Sequence, residues 1–332
     1  MALNPRRTSV APSGVPDAAI LAKRLLEGDR RALSQAITLV ESVHPDHATV
    51  AREVLRRTAS QAGRARRIGI TGIPGAGKST LIEALGAHYL EAGYRVGVIA
   101  VDPSSPASGG SILGDKTRMP TLSVHPHAFV RPSPNRGLLG GLSANTHAVR
   151  HLLDAAGYDR ILIETVGVGQ ADVEIQHLVD VTLLLTVPGT GDQLQGIKRG
   201  LMETADLIAV HKADGAQRVA ARKLAQQLKT TLHLSSSGAS VHLTSVHVPE
   251  RIAALADALD AWFSAPSPPL SERRAQQART LTRRLVEQRL TTTFWAAIAV
   301  QDALKASSML PTDPLDAADY LYQTGVAALT AT

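Results

Sequence analysis

The stretch Gly72-Ile-Pro-Gly-Ala-Gly-Lys-Ser79 decides the fold of this chain of 332 residues. It fits the pattern G-x-x-x-x-G-K-(S/T) at every fixed position and lies between an apolar run and a helical stretch, as a phosphate-binding loop (P-loop) requires. Its glycines let backbone N–H groups surround phosphate oxygens, and the N-terminus of the following helix adds its positive end. Lys78 should reach the β- and γ-phosphates, and the Ser79 hydroxyl should ligate Mg²⁺. The predicted nucleotide contacts in the loop are Gly72, Ile73, Pro74, Gly75, Ala76, Gly77, Lys78, Ser79 and Thr80.

Short apolar runs rich in β-branched residues continue beyond the loop and alternate with helical stretches. Buried runs separated by helices are typical of parallel strands covered on both faces. We therefore predict an α/β fold, a P-loop NTPase with a mainly parallel sheet flanked by helices. The predicted strands span residues 68–71, 96–102, 161–164, 181–187, 207–211 and 241–244, and the predicted helices include 79–92 and 216–227.

The two ends of the chain have different patterns. Residues 1–16 carry three prolines and no apolar period, which predicts a flexible tail, whereas 17–63 show helical spacing and predict two or three helices. The P-loop domain should span 64–264. The proline-rich segment that begins at Ser264 cannot continue a helix, so 265–332 is predicted to be a C-terminal helical arm, with one helix over 271 to about 305 and a second after Pro314.

Two carboxylates follow predicted strands. Asp102 ends the run 96–102 and Glu164 ends 161–164. A carboxylate at a strand end beside a P-loop holds Mg²⁺ or its bound water, so both residues are predicted metal contacts with Ser79. Gly167 lies three residues after Glu164, and its backbone N–H is predicted to reach the γ-phosphate. Lys78, Glu164 and Gly167 are the predicted catalytic set.

A base-reading sequence closes the fifth predicted strand. His211-Lys-Ala-Asp214 is close to the N-K-x-D signature by which many GTPases select guanine. Asp214 should accept hydrogen bonds from N1–H and the 2-amino group, which adenine does not offer, and the stem of Lys212 should cover the base. Thr244, Ser245 and Val246 follow the next strand, where such proteins place a loop against the guanine oxygen.

Composition narrows the class of protein further. The chain has no cysteine, so a disulfide, a thiolate nucleophile and an iron–sulfur cluster are excluded. It has 3 Phe, 5 Tyr and 2 Trp, too few to supply stacking platforms for single-stranded nucleic acid. No apolar run is long enough for a membrane span and no signal peptide is evident, so we expect a cytoplasmic protein with neither a nucleic-acid nor a membrane partner.

Longer stretches carry a more specific resemblance. They are Gly69–Thr80 around the P-loop, Val101-Asp-Pro-Ser-Ser105, Gly109-Gly-Ser-Ile-Leu-Gly-Asp-Lys-Thr-Arg-Met119, Arg131-Pro-Ser-Pro134, Glu164-Thr-Val-Gly-Val-Gly-Gln170 and Gly191-Asp-Gln-Leu-Gln-Gly-Ile-Lys198. In these stretches, over about residues 20–260, the chain resembles the MeaB/ArgK-type P-loop GTPases, chaperones of adenosylcobalamin-dependent acyl-CoA mutases. The C-terminal arm is similar to that family's dimerisation extension in place and length.

The resemblance implies a homodimeric GTPase that binds GTP, GDP and Mg²⁺. It also implies a cobalamin-dependent acyl-CoA mutase as partner, whose cofactor loading the GTPase gates and which it protects or reactivates. Three switch segments, 103–118, 167–180 and 189–198, are implied to read the γ-phosphate. The implied switch and partner residues are Asp115, Lys116, Arg118, Asp192, Gln193, Gln195 and Lys198.

The chain departs from the family pattern in three places. His211 replaces the usual Asn, Gln193 replaces an acidic residue, and Pro106-Ala-Ser108 replaces a more polar stretch. In addition, Val168 follows Gly167 where many small GTPases carry a Gln that orients the attacking water. We therefore expect slow intrinsic hydrolysis that a partner stimulates.

Other functions stay open on the sequence alone. A small-molecule kinase would use the same P-loop, and a GTPase could serve a target other than a mutase. Metal delivery is less favoured because no His-rich tract is present, and signal-sequence targeting is disfavoured by only 4 Met. Methylmalonyl-, isobutyryl- and 2-hydroxyisobutyryl-CoA mutase all remain possible partners.

Overall fold

In a computed structural model of the chain, the described residues are 16–102, 119–134, 144–165, 167, 172, 174–189, 199–234, 238–264, 266, 268–297, 311 and 313–330. They belong to two compact units that divide between Leu270 and Ser271. The first unit carries the P-loop. The second carries the two C-terminal helices.

From residue 16 onward, three α-helices precede the sheet: α1 (Ala18–Leu26), α2 (Arg30–Glu41) and α3 (Pro45–Thr58). Asp17 and Asp29 start α1 and α2, because each carboxylate accepts hydrogen bonds from two backbone N–H groups of the first turn. Pro45 occupies the first position of α3, where its missing N–H costs nothing. The segment 17–63, for which the sequence predicts two or three helices, therefore contains three α-helices.

Within the part of the chain that the structure describes, seven parallel strands form a single sheet, in the order β3-β2-β4-β1-β5-β6-β7. This confirms the predicted fold class. The P-loop strand β1 is central, with β4 and β5 as neighbours. The strands are β1 (Arg66–Gly72), β2 (Val96–Asp102), β3 (Ala128–Pro134), β4 (Arg160–Glu164), β5 (Val181–Thr186), β6 (Leu207–Val210) and β7 (Ser240–Leu243), and the helices among them are α4 (Lys78–Glu91), α5 (Pro120–Val124), α6 (Ala144–Ala155), α7 (Arg199–Thr204), α8 (Arg218–Leu234) and α9 (Pro249–Ser264).

Strand β3 was not predicted. It pairs with β2 along its whole length, from Ala128 beside Val96 to Pro134 beside Asp102. Its prolines, Pro132 and Pro134, argue against a central strand, but an edge strand tolerates them because it needs no donor on its open side. Several predicted strand boundaries shift by one or two residues. In particular, β6 ends at Val210, and His211 lies just beyond it.

Apolar side chains cover the two faces of the sheet in separate clusters. One cluster joins α1–α3 and α6 to residues such as Ile161 and Ile163 of β4. A second joins α4 and α9 to Ile68 and Ile70 of β1 and to Leu162 of β4. A third joins α8 to Ile208 of β6. Successive residues of β4 therefore point to opposite faces, as a strand buried on both sides requires.

The amino-terminal edge of the sheet is held by a buried carboxylate of α6. Asp154 accepts hydrogen bonds from the backbone N–H groups of Gly63, Arg64 and Ala65, at 2.8 to 3.0 Å. These three residues connect the N-terminal helices to β1, and Asp154 is only 4% exposed. Asp154 therefore fixes the point at which the helical segment enters the sheet.

The second unit contains α10 (Leu270–Ala296) and α11 (Pro314–Thr330). Phe294 packs directly on Gly325, where a Cβ would overlap its ring. Val286, Leu290 and Tyr322 are more than half exposed. The predicted first helix extends to about residue 305, but 298–310 lie outside the described residues.

Among the residues that the structure describes, no helix is both long and apolar enough to cross a membrane.

We expect Asp154→Ala to lower the free energy of unfolding by about 2–4 kcal/mol, because it removes a buried carboxylate that accepts hydrogen bonds from three backbone N–H groups just before β1. Urea unfolding followed by circular dichroism measures the loss. Asp17→Ala is the control, since it removes an exposed carboxylate that caps α1, and it should cost less. Equal losses in the two variants would contradict the role given to Asp154.

Candidate functional site

The P-loop connects β1 to α4 at the carboxyl edge of the sheet. Gly72 ends β1 with a φ of 144°, and Gly75 and Gly77 have φ values of 77° and 96°, which favour glycine. Gly77 is the N-cap of α4 and supplies no side-chain hydrogen bond to the first turn. The N–H groups of that turn are therefore available to an anion, which the positive end of the helix also favours.

Lys78 lies inside this loop. Its side chain is buried, and Nζ donates to the carbonyl oxygens of Gly72 at 2.9 Å and Ile73 at 3.2 Å. Burial lowers the pKa of Lys78 from its ordinary value, while the carboxylates of Glu164 and Asp172 act in the opposite direction. The ammonium group is thus held at the centre of the loop, as contact with a phosphate requires.

Ser79 and Glu164 come together as predicted metal contacts should. Ser79 Oγ donates to Glu164 Oε1 at 2.8 Å, and Glu164 lies beside Ile70 of β1 in the strand register. A hydroxyl and a carboxylate are both hard oxygen donors, so the pair fits Mg²⁺. Asp102 ends β2 at the same edge, but only its backbone is described.

Gly167 lies directly over the P-loop. A Cβ at this position would be 2.8 Å from Lys78 Nζ and closer still to Gly72 O, so only glycine fits, and its φ of 87° also favours glycine. The Gly167 N–H donates to Asp172 Oδ1 at 3.1 Å. Asp172 is not among the individually predicted site residues. The sequence signal for it is its place in the implied switch segment 167–180, eight residues after Glu164.

His211 packs on the P-loop from the side of β6. Its ring lies 3.1 Å from the position of a Cβ on Gly77, and its Nδ1 is 3.0 Å from Thr244 Oγ1. Burial lowers the pKa of His211 to about 4, so the ring is neutral at pH 7. His211 therefore joins the loop after β6 to the start of the loop after β7 through a side-chain hydrogen bond.

The two loops also meet at the predicted base reader. Ser245 Oγ donates to Asp214 Oδ1 at 2.7 Å, and this hydrogen bond holds the pKa of Asp214 below its ordinary value. Lys212 has a φ of 53°, and its Nζ donates to Gly75 O at 3.1 Å. The loop after β6 is therefore bonded to both the β7 loop and the P-loop.

The remaining predicted residues are placed as follows. Thr80 is exposed in the first turn of α4, Ala76 is buried in the P-loop, and Val246 is half-buried after β7. The predicted switch and partner residues all lie outside the described residues: Asp115, Lys116, Arg118, Asp192, Gln193, Gln195 and Lys198.

Comparison with known proteins identifies relatives of this arrangement. A family model described as methylmalonyl-CoA mutase-associated GTPase MeaB matches residues 33–299. A probable GTPase of Mycobacterium tuberculosis is 56% identical over 214 residues, which are 64% of this chain and 64% of the relative. The GTPase ArgK of Escherichia coli is 48% identical over 212 residues, again 64% of each. A mouse protein named methylmalonic aciduria type A homolog, mitochondrial, is 46% identical over 220 residues, 63% of this chain and 53% of the relative.

The aligned part of the chain thus spans 64% of the length of the first of these relatives. A crystal structure titled LAO/AO transport system kinase superimposes with a TM-score of 0.71 at 30% identity and covers 95% of this chain and 99% of its own. Since the family match extends over most of the sequence, the chain belongs to the methylmalonyl-CoA mutase-associated GTPase (MeaB) family.

Proposed function

We propose that the chain binds and hydrolyses GTP and serves as a chaperone of an adenosylcobalamin-dependent acyl-CoA mutase. The observation that carries the first part is the convergence of three loops at one edge of the sheet. The P-loop, the loop after β6 and the loop after β7 are joined through Lys212 and His211, so phosphate and base contacts are held together. Family membership supports the second part.

The phosphate half of the site acts by positioning and charge. Lys78 brings a desolvated ammonium group to the β- and γ-phosphates, and the open first turn of α4 adds N–H donors. Phosphoryl transfer develops charge on the phosphate oxygens, so donors fixed around them stabilise the transition state. Gly167 can add its N–H at the γ-phosphate, because it lies against Lys78.

The metal ion implied by this chemistry would be held by Ser79 and Glu164, with Asp102 as the further predicted ligand. When bound, Mg²⁺ neutralises charge on the β- and γ-phosphates. Before it binds, the hydrogen bond from Ser79 to Glu164 keeps both oxygens oriented toward each other. We propose that these residues are its ligands on the protein side.

The base half of the site favours guanine. Asp214 keeps its carboxylate charged, since Ser245 donates to one oxygen and lowers its pKa. A carboxylate accepts from the N1–H and 2-amino group of guanine, but it would repel the unprotonated N1 of adenine. His211 is neutral and acts behind the base reader, where it fixes the relation of the β6 loop to Gly77 and Thr244.

The partner and the assembly remain part of the proposal. The family description names association with methylmalonyl-CoA mutase, and such a mutase is the partner class that we propose. We also propose that α10 and α11 form a dimerisation arm. Exposed apolar residues such as Leu290 and Tyr322 support this, because an unpaired helix seldom leaves an apolar face in water.

Lys78→Ala should abolish GTP hydrolysis and weaken GTP binding at least tenfold, because it removes a charge-assisted contact from a loop that is otherwise formed. Isothermal titration calorimetry and a phosphate-release assay measure the two effects. Lys223→Ala, at an exposed position of α8, is the matched control and should change neither. Undiminished hydrolysis in Lys78→Ala would remove the assignment of the P-loop.

Asp214→Asn should reduce affinity for GTP and raise affinity for xanthosine triphosphate. Xanthine carries an oxygen in place of the 2-amino group, so the amide can donate to that oxygen while still accepting from N1–H. Competition binding with GTP, ATP and xanthosine triphosphate measures the switch.

His211→Asn is the companion variant in the same assay. It restores the amide usual in the family and should widen the preference for GTP over ATP. Equal binding of GTP and ATP by the parent protein, unaffected by Asp214→Asn, would show that the site does not read guanine.

Adding a cognate acyl-CoA mutase should raise GTP turnover about tenfold or more, because the protein lacks a water-orienting Gln after Gly167. Steady-state assays with methylmalonyl-, isobutyryl- and 2-hydroxyisobutyryl-CoA mutase test this. Gln195→Ala and Lys198→Ala should reduce the stimulation more than they reduce GTP binding. Fast hydrolysis by the isolated protein, unchanged by all three mutases, would favour a GTPase with another target.

A further inference from the structure

Asp172 forms a buried junction between the P-loop strand and the segment after β4. Its Oδ1 accepts hydrogen bonds from Thr71 Oγ1 at 2.9 Å, Thr165 Oγ1 at 2.6 Å and Gly167 N at 3.1 Å. The side chain is 1% exposed, and both threonines are equally buried. One carboxylate oxygen thus holds the residue before Gly72 and the glycine that lies over Lys78.

The contact with Gly167 concerns the amide that the proposed function assigns to the γ-phosphate. A backbone amide has a single hydrogen, so a hydrogen bond to Asp172 and a well-aligned one to a phosphate oxygen compete with each other. The two threonine hydroxyls fix Asp172 in place independently of Gly167. The carboxylate is therefore a pre-positioned acceptor that competes with the nucleotide.

We propose that the Asp172 carboxylate competes with the third phosphate of the nucleotide for the Gly167 amide. Asp172 holds this amide until a triphosphate displaces it. The inference rests on the proposed nucleotide binding and adds a positioning residue to it. We call the contact between Asp172 and Gly167 the Asp172 latch. A triphosphate must break this hydrogen bond before its γ-phosphate can bind the Gly167 amide, whereas a diphosphate need not. The latch therefore lowers affinity for GTP relative to GDP.

Charge acts in the same direction. Asp172 lies close enough to Lys78 to influence its ionisation, together with Glu164. A γ-phosphate bound beside Lys78 and Gly167 would add negative charge near a buried carboxylate, where screening by water is weak. The Asp172 carboxylate would repel the third phosphate most strongly, because that phosphate would bind beside Gly167, which lies against Lys78.

The test compares binding of GTPγS and GDP to the full chain and to Asp172→Asn. The amide oxygen of Asn can still accept from both threonines, but it has no charge and is a weaker acceptor for Gly167. GTPγS affinity should rise about threefold or more, whereas GDP affinity should stay within error. Calorimetric titration in the presence of Mg²⁺ gives both affinities.

A second variant tests the same contact in case Asp172→Asn does not fold. Thr71→Val keeps the buried shape but removes one hydroxyl that anchors Asp172, so it should raise the ratio of GTPγS to GDP affinity in the same direction and by less. Asp154→Asn is the matched control, since Asp154 is also buried and also accepts three hydrogen bonds, but at the opposite edge of the sheet. Its ratio should not change.

The outcomes separate the latch from the function on which it rests. An unchanged or lower ratio in both Asp172→Asn and Thr71→Val, with folding intact by circular dichroism, overturns the latch and leaves nucleotide binding standing. A parent protein that binds neither GTPγS nor GDP overturns the proposed function, and the latch with it. A raised ratio in Asp154→Asn as well would attribute the effect to loosening of the fold and reject the latch.

Discussion

The buried ammonium group of Lys78 is the constraint on which the site depends. Removing this charge from water is costly, and the carbonyl oxygens of Gly72 and Ile73 offset only part of the loss. Those carbonyls converge because Gly72 adopts a φ of 144° at the end of the central strand, where a side chain would strike Leu185. A multiply charged anion supplies the interactions that the buried ammonium group of Lys78 still lacks. The loop therefore favours phosphate binding through its own residues.

Much of the carboxyl edge could be predicted from the sequence because its parts are local. The P-loop joins a strand and a helix within a few residues, and Glu164 follows a short β-branched apolar run that is typical of a buried strand. The pairing of Asp214 with Ser245 follows once both strands are placed, since parallel strands bring their carboxyl ends to one edge. Local pattern and topology together are sufficient there.

Elements that depend on distant contacts could not be predicted. Strand β3 contains two prolines, and its pairing with β2 is visible only when the edge of the sheet is known. Asp172 lies 101 positions from Thr71 along the chain. Asp154 lies 89 to 91 positions from the backbone amides whose hydrogen bonds it accepts. A single carboxylate carries no periodicity of its own, so its hydrogen-bond partners are set by the fold.

The packing of α1–α3 has a consequence for biosynthesis. Their apolar cluster is completed by Leu152 and Leu153 of α6, by Ile161 and Ile163 of β4, and by Val179. The ribosome delivers the three helices before any of these partners, and a domain generally folds as a unit. Until residue 179 has left the exit tunnel, the three helices can pack on one another but lack part of the cluster that covers them in the folded protein. A nascent chain that stops before β4 would therefore expose apolar surface that the sheet later covers.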